Sequence, residues 1–245
     1  MEIADKLHDI VWNGLQVDIY EAEEALALVK EIGLNATVIN EAKYGFGHLF
    51  GRLQHVHTEM AILAVNRIYD KPKRHTLRSL PSALELLQAN SSTLKPVDRR
   101  YVSKKLIEFG HPETKIKSLE DTQATELLAR EYTNRLPSLA DGDPTGLNAL
   151  KFRRDKKLAH PEAINVTDIP PITYKQIHDL LSFAKDFIAT VGLSYLSILY
   201  VVDDGTFLLS RDAEDIVRPL RRLLQRAGII ADAAQAEPAG TVGPD

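Results

Sequence analysis

Apolar positions recur at three- and four-residue spacing along most of this chain, the period of helices that bury one face. Residues 18–32 turn Ile19, Ala22, Leu26 and Val29 to one side and Glu21, Glu23, Glu24 and Glu31 to an acidic outer side, with Gly33 closing the helix. The same spacing predicts a long helix over 37–69, with Ile39, Phe46, Leu49, Leu53, Val56, Met60, Leu63 and Ile68 inward. Gly45, Gly47 and Gly51 weaken that helix and mark close packing or a bend. Pro81 opens a helix through Leu87, Pro96 and Asp98 open one through Phe109, and 117–136 forms another that Pro137 stops. After a loop over 138–145, a helix carries Leu147, Leu150, Phe152 and Leu158 up to His160-Pro161, and 211–226 is a last amphipathic helix.

The longest apolar stretch, 187–202, is interrupted by Thr190, Gly192, Ser194 and Ser197 and flanked by Asp186 and Asp203-Asp204. It falls short of the roughly 18–20 residues that a membrane span needs, so it reads as the buried half of a helix starting near Tyr174, and no membrane association is expected. Strand alternation is nearly absent. Residues 200–209, around Asp203-Asp204-Gly205, make either a short hairpin or a loop excursion. The expected fold class is all-α, a helical bundle in one domain over 1–230, followed by an Ala-, Gly- and Pro-rich disordered tail over 231–245.

Composition narrows the chemistry. With 30 Lys+Arg against 34 Asp+Glu among 245 residues, a nucleic-acid contact must come from a local basic patch. The absence of cysteine excludes disulfide frameworks, thiolate metal sites and cysteine nucleophiles, and fits a cytoplasmic location. The acidic start of the chain, with no apolar run, is not expected to be a secretory signal. No phosphate-binding Gly-Lys-Ser/Thr loop, dinucleotide Gly-x-Gly-x-x-Gly or His-Glu-x-x-His motif occurs, and no cofactor is expected. His48, Arg52, His55 and Glu59 share a helical stripe, but the arginine would repel a cation, so no metal site is expected. Arg67 and Asp70, at i and i+3, are expected to form a helix-surface ion pair, with Arg67 a further candidate RNA contact.

The informative segment is Lys151-Phe152-Arg153-Arg154-Asp155-Lys156-Lys157-Leu158-Ala159-His160, where five of the seven residues 151–157 are basic and a histidine follows. Such a set suits a phosphodiester: cutting RNA without a metal needs a base for the ribose 2′-hydroxyl, an acid for the leaving 5′-oxygen and a fixed cation on the phosphorane oxygens. Histidine can be base or acid near neutral pH, and arginine presents a fork that stays charged. At about 100° per residue, Arg153 returns to the face of His160 within about 20°, Lys156 and Lys157 lie one turn before His160, and Arg154 stands about 120° away. A regular helix therefore favours Arg153 as the partner of His160; Arg154 converges on it only if the helix is irregular there.

Arg154-Asp155-Lys156-Lys157-Leu158-Ala159-His160 resembles the arginine, polar residue, spacer and histidine of the HEPN superfamily, all-helical bundles that include many metal-independent RNases. The ordered set Ala64-Val65-Asn66-Arg67-Ile68-Tyr69-Asp70, Leu77 to Leu87, the Arg-Asp-Lys-x-x-Ala-His segment and Tyr195 to Leu209 is similar to the AbiU-type abortive-infection branch. The resemblance implies a homodimer whose two motifs face a composite cleft, with His160 acting on the 2′-hydroxyl and Arg154 on the phosphate. Arg153, Asp155, Lys156, Lys157 and Arg67 then become RNA contacts. It also implies RNA as substrate, a toxin or antiphage role, and in some members an antitoxin or regulatory partner. Two other readings stay open: a non-catalytic helical module binding RNA or protein through the same face, and a structural protein assembling through the acidic face over 21–31 or the apolar helix. Three further basic clusters, Lys71-Lys73-Arg74-Arg78, Arg99-Arg100-Lys104-Lys105 and Arg218-Arg221-Arg222-Arg226, could each extend an RNA track.

Overall fold

A computed structural model describes residues 2–43, 45–72, 75–137, 146–159 and 170–231, without the side chains of 157–159. The described residues are mostly helical, with no strand. A single antiparallel bridge joins Val201 to Phe207 across the Asp203-Asp204-Gly205 turn, so 200–209 is a tight loop excursion in place of a two-stranded hairpin.

The chain opens with α1 (Ile3–Ile10), passes through a π-helical turn (Val11–Leu15) and continues as α2 (Gln16–Leu34). α2 is the spine. It packs along α4 (Gly47–Tyr69), and the pairs Asp18 to Arg67 near one end and Val29 to Gln54 further along make the two antiparallel. Between them lies α3 (Ala36–Glu41), so the helix expected over 37–69 is two helices. The break falls where the glycines cost helix stability: Gly45 sits at φ +67, open to glycine and strained for other residues.

α5 (Leu80–Ala89) starts at a Ser79 cap, and α6 (Arg99–Glu108) starts at Asp98, whose carboxylate accepts from the Arg100 amide at 2.9 Å. The helix expected over 117–136 also divides, into α7 (Glu113–Ser118) and α8 (Asp121–Arg135), because a Glu120–Gln123 capping box begins a new helix. α9 (Leu147–Arg153) runs into a second π-helical turn, Arg154–Ala159. α10 (Tyr174–Tyr195) opens on a Thr173–Gln176 capping box and ends seven residues before the apolar stretch does. The final pair, α11 (Leu208–Glu214) and α12 (Val217–Arg226), replaces the single helix expected over 211–226. No helix among the described residues is long and apolar enough to cross a membrane.

The main core joins α1, α2, α4, α5, α6, α8, α9 and α10. At its centre Tyr132 meets Phe187 edge to face at 5.1 Å, and its hydroxyl bonds Asp186 Oδ2 at 2.7 Å and Thr190 Oγ1 at 2.9 Å. Lys105 completes this group by donating to Asp186 at 2.5 Å. A smaller core, Ile32, Ile39, Phe50 and Leu224, gathers the far end of α2 with α3, α4 and α12. Leu49, Leu53 and Val56 differ from expectation: they face outward, 53%, 36% and 36% exposed, because the first half of α4 is covered on one side only.

Phe187 is fully buried. Phe187→Ala is expected to destabilise the fold by about 3–5 kcal/mol, measured by urea denaturation; a loss below about 1 kcal/mol would place this ring outside the core.

Candidate functional site

α4 ends at Tyr69, whose hydroxyl donates to the Leu180 carbonyl on α10 at 2.6 Å and fixes the helix terminus. One turn earlier Asn66 is buried and donates to the Leu150 carbonyl at 3.2 Å, which lays α9 against α4. The next residue after Tyr69, Asp70, caps α4 in extended conformation. It therefore meets the start of the second π-helical turn, and there Arg154 donates from Nη1 to Asp70 Oδ1 at 2.6 Å and Oδ2 at 2.7 Å. Arg154 Nε donates to Asp155 Oδ1 at 2.7 Å. The guanidinium is 20% exposed, against 35% for Asp70 and 44% for Asp155. Burial works against its charge, but the bonds and attraction to the two carboxylates outweigh burial and hold its pKa above the ordinary arginine value.

The backbone from Arg154 to Ala159 departs from a regular α-helix. A π-helix closes its bonds from i to i+5, so the regular angular count that favoured Arg153 does not apply beyond residue 153. Arg153 instead has a buried Nε with no hydrogen-bond partner among the described residues. Asp155 is a ligand of Arg154, and Lys156 is half-buried beside it. His160 and the side chain of Lys157 lie outside the described residues.

Arg67 is placed differently from expectation. Its partners are Asp18, 2.7 Å from Nε, and Glu21, 2.6 Å from Nη2, both on α2. Asp70 pairs with Arg154 and Arg67 is taken by two carboxylates of α2, so the expected Arg67–Asp70 pair does not form. Burial, against the pull of Arg67, pushes the Asp18 carboxyl above the ordinary carboxylate range. Two more acidic residues of α2 are also paired. Glu23 receives Lys185 of α10 at 2.8 Å, and Glu31, 4% exposed, receives Arg221 of α12 at 2.7 and 2.8 Å. Three of the four glutamates expected on an acidic outer face are thus paired within the chain.

Asp70 and Arg67 also line a cleft of about 1160 Å³ between α1, the first π-helical turn, α4 and α5. Lys6, Asp9, Asn13, Asp18, His75, Arg78 and Glu85 are among its other polar residues. Gly14 is needed here, because a Cβ would meet the Arg78 carbonyl oxygen at 2.6 Å. Sequence reasoning missed the cleft: its walls lie far apart in the chain, and His75 and Asn13 belong to no motif. The π-helical turn along its edge is a local irregularity of the kind that recurs at functional sites, but helical periodicity does not reveal it. On the histidine stripe of α4 His55 pairs with Glu59 at 3.2 Å, and no group of three metal-binding side chains occurs among the described residues.

Asp70 grips Arg154 with both oxygens and Asp155 with one. Asp70→Asn is therefore expected to cost about 1–2 kcal/mol, a value reduced for its partial exposure, and Asp155→Asn less than about 1 kcal/mol. Urea midpoints measure both, and equal losses would contradict the geometry.

Comparison with known proteins adds a family. The model of the HEPN AbiU2 family, described as AbiU2, matches residues 21–218, a span that holds Arg67, Asp70 and the whole 151–160 segment. No curated protein and no solved structure matches the chain.

Proposed function

The chain belongs to the AbiU2 family of HEPN proteins, and on that footing we propose that it is a metal-independent endoribonuclease, acting as a homodimer and serving as a toxin or abortive-infection effector. His160 takes the proton of a ribose 2′-hydroxyl, the 2′-oxygen bonds to phosphorus, and the bond from phosphorus to the 5′-oxygen breaks. The leaving oxygen takes a proton from a second acid, and the products are a 2′,3′-cyclic phosphate and a 5′-hydroxyl. Arg154 stabilises the charge that gathers on the phosphorane oxygens. Arg153, Asp155, Lys156, Lys157 and Arg67 are the nearby candidates for holding the strand, with Arg67 doing so from its carboxylate partners on α2. A dimer brings two such motifs to one cleft, and an antitoxin or regulatory protein would act by covering it. The proposed site of action is the cytoplasm.

The observation that carries this reading is Arg154, a mostly buried guanidinium whose Nη1 is held by both oxygens of Asp70, a residue that also lines the large cleft. A cation held in place before the substrate arrives needs little reorganisation during the reaction, which is the condition for strong electrostatic stabilisation. The same pairing favours a second reading. Two carboxylates already neutralise Arg154, which suits a non-catalytic module that binds RNA or protein through this face.

Digestion of total RNA in EDTA separates the two. Wild type is expected to cut, with the rate falling by about 10²–10⁴-fold in His160→Ala and about 10²–10³-fold in Arg154→Ala. Arg153→Ala is expected to raise KM more than it lowers kcat. Cleavage unchanged by His160→Ala overturns the nuclease reading, and retention of RNA without cleavage supports the binding module.

A further inference from the structure

Of the three basic clusters outside the 151–160 segment, the second is largely consumed by the fold and the first gives up one arginine to it, its Lys73 and Arg74 lying outside the described residues. In the first, Arg78 is tied to Asp9 at 2.9 Å. In the second, Arg99 donates to the carbonyls of Ile116 and Leu119, Arg100 is held by Asp98, and Lys105 sits between Asp186 and Glu108. The third lies on α12 and is arranged otherwise. Arg221 alone anchors the helix, through Glu31. Arg218, Arg222 and Arg226 are exposed and follow one another at four-residue steps, so they stand about 6 Å apart along the axis within a sector of about 80°. Arg218 has a loose contact at 3.2 Å with Asp215, both more than half exposed, and Arg222 and Arg226 have no carboxylate partner among the described residues. No acidic residue occurs from 216 to 230.

We propose that the Arg218, Arg222 and Arg226 stripe of α12 is a docking site for the phosphate backbone of single-stranded RNA, an exosite at the end of α4 opposite Arg154. The proposal rests on the RNA reading above. α12 reaches that end because Leu224 is buried with Ile32, Ile39 and Phe50, and Phe50 precedes Asp70 by 20 residues of α4 and its cap, about 30 Å of helix. Most of the apolar side of α12 is committed, with Val217 and Leu224 buried and Leu220 packed on the same small core, and Leu223 is the exposed leucine of the helix, at 59%. Little is left to insert into a membrane. Guanidinium forks repeated along an exposed rail match a chain of phosphates, each able to take two parallel hydrogen bonds.

The test measures binding of a fluorescein-labelled single-stranded 2′-O-methyl RNA, which lacks the 2′-hydroxyl and stays intact, by anisotropy at several salt concentrations. The full chain is compared with Arg218→Gln/Arg222→Gln/Arg226→Gln and with a control of equal charge loss, Lys115→Gln/Lys117→Gln/Arg130→Gln, also exposed. Thermal melts confirm that each variant is folded. Each lost phosphate contact lowers the slope of log K against log salt by about 0.7, so the α12 variant is expected to lose about 2 while the control keeps the wild-type slope. An unchanged slope in the α12 variant, or an equal fall in both variants, overturns the exosite and leaves the nuclease reading standing. So does competition by polyglutamate as strong as by unlabelled RNA, which would make the stripe a site for acidic protein. Absence of RNA binding by wild type at every salt concentration overturns the RNA reading itself, and the exosite with it.

Discussion

The ion pair between Asp70 and Arg154 is the constraint on which the site depends. It bridges 84 residues of sequence, joining the C-terminal cap of α4 to the first residue of the second π-helical turn. The fold prepares this meeting from both sides: Tyr69 pins the end of α4 to α10, and Asn66 bonds the α9 backbone through Leu150. A guanidinium that is 20% exposed needs such partners, since burial without them disfavours its charge. The pair thus ties the start of the basic segment to the end of α4 and keeps its arginine charged beside a carboxylate that lines the cleft.

The same logic of paired charges organises α2. Its acidic residues look in sequence like a solvated face, but three helices supply cations to them: α4 through Arg67, α10 through Lys185 and α12 through Arg221. Their half-buried pairs hold position more than they add stability, because desolvation offsets much of the attraction. Fixing Arg67 on α2 leaves Asp70 to Arg154, so the α2 carboxylates and the candidate site form one connected arrangement. On α12, one arginine serves the fold and three others face outward, which separates the anchoring role of that helix from its capacity to meet a polyanion.

Much of the fold was legible in the sequence. Helical periodicity located the helices, and the all-α class follows from it. Belonging to the HEPN AbiU2 family, foreshadowed by the Arg-Asp-Lys-x-x-Ala-His segment, agrees with that class. The helix breaks at 42–46, 119–120 and 215–216 were harder to see, since apolar spacing continues across them while caps and glycine geometry interrupt the backbone. Leu49, Leu53 and Val56 read as core because periodicity identifies an apolar stripe without saying whether a neighbour covers it. The partner of Asp70 was illegible for a related reason: local spacing rules rank Arg67 first, and only the fold brings Arg154 within reach. The resemblance singled out Arg154 where regular helix geometry favoured Arg153, and the π-helical turn beginning at Arg154 removes the regularity on which that preference rested.

The central proposal is that a ribose 2′-hydroxyl, activated by His160 and with Arg154 as the cation on the phosphate, is the nucleophile. The most direct test is a matched pair of oligonucleotides, one RNA and one with 2′-deoxy sugars, incubated with the wild-type chain in EDTA and mapped for product ends. The account predicts cleavage of the RNA alone, leaving 2′,3′-cyclic phosphate and 5′-hydroxyl ends. Cleavage of the deoxy strand, or RNA products carrying 5′-phosphates, would contradict it.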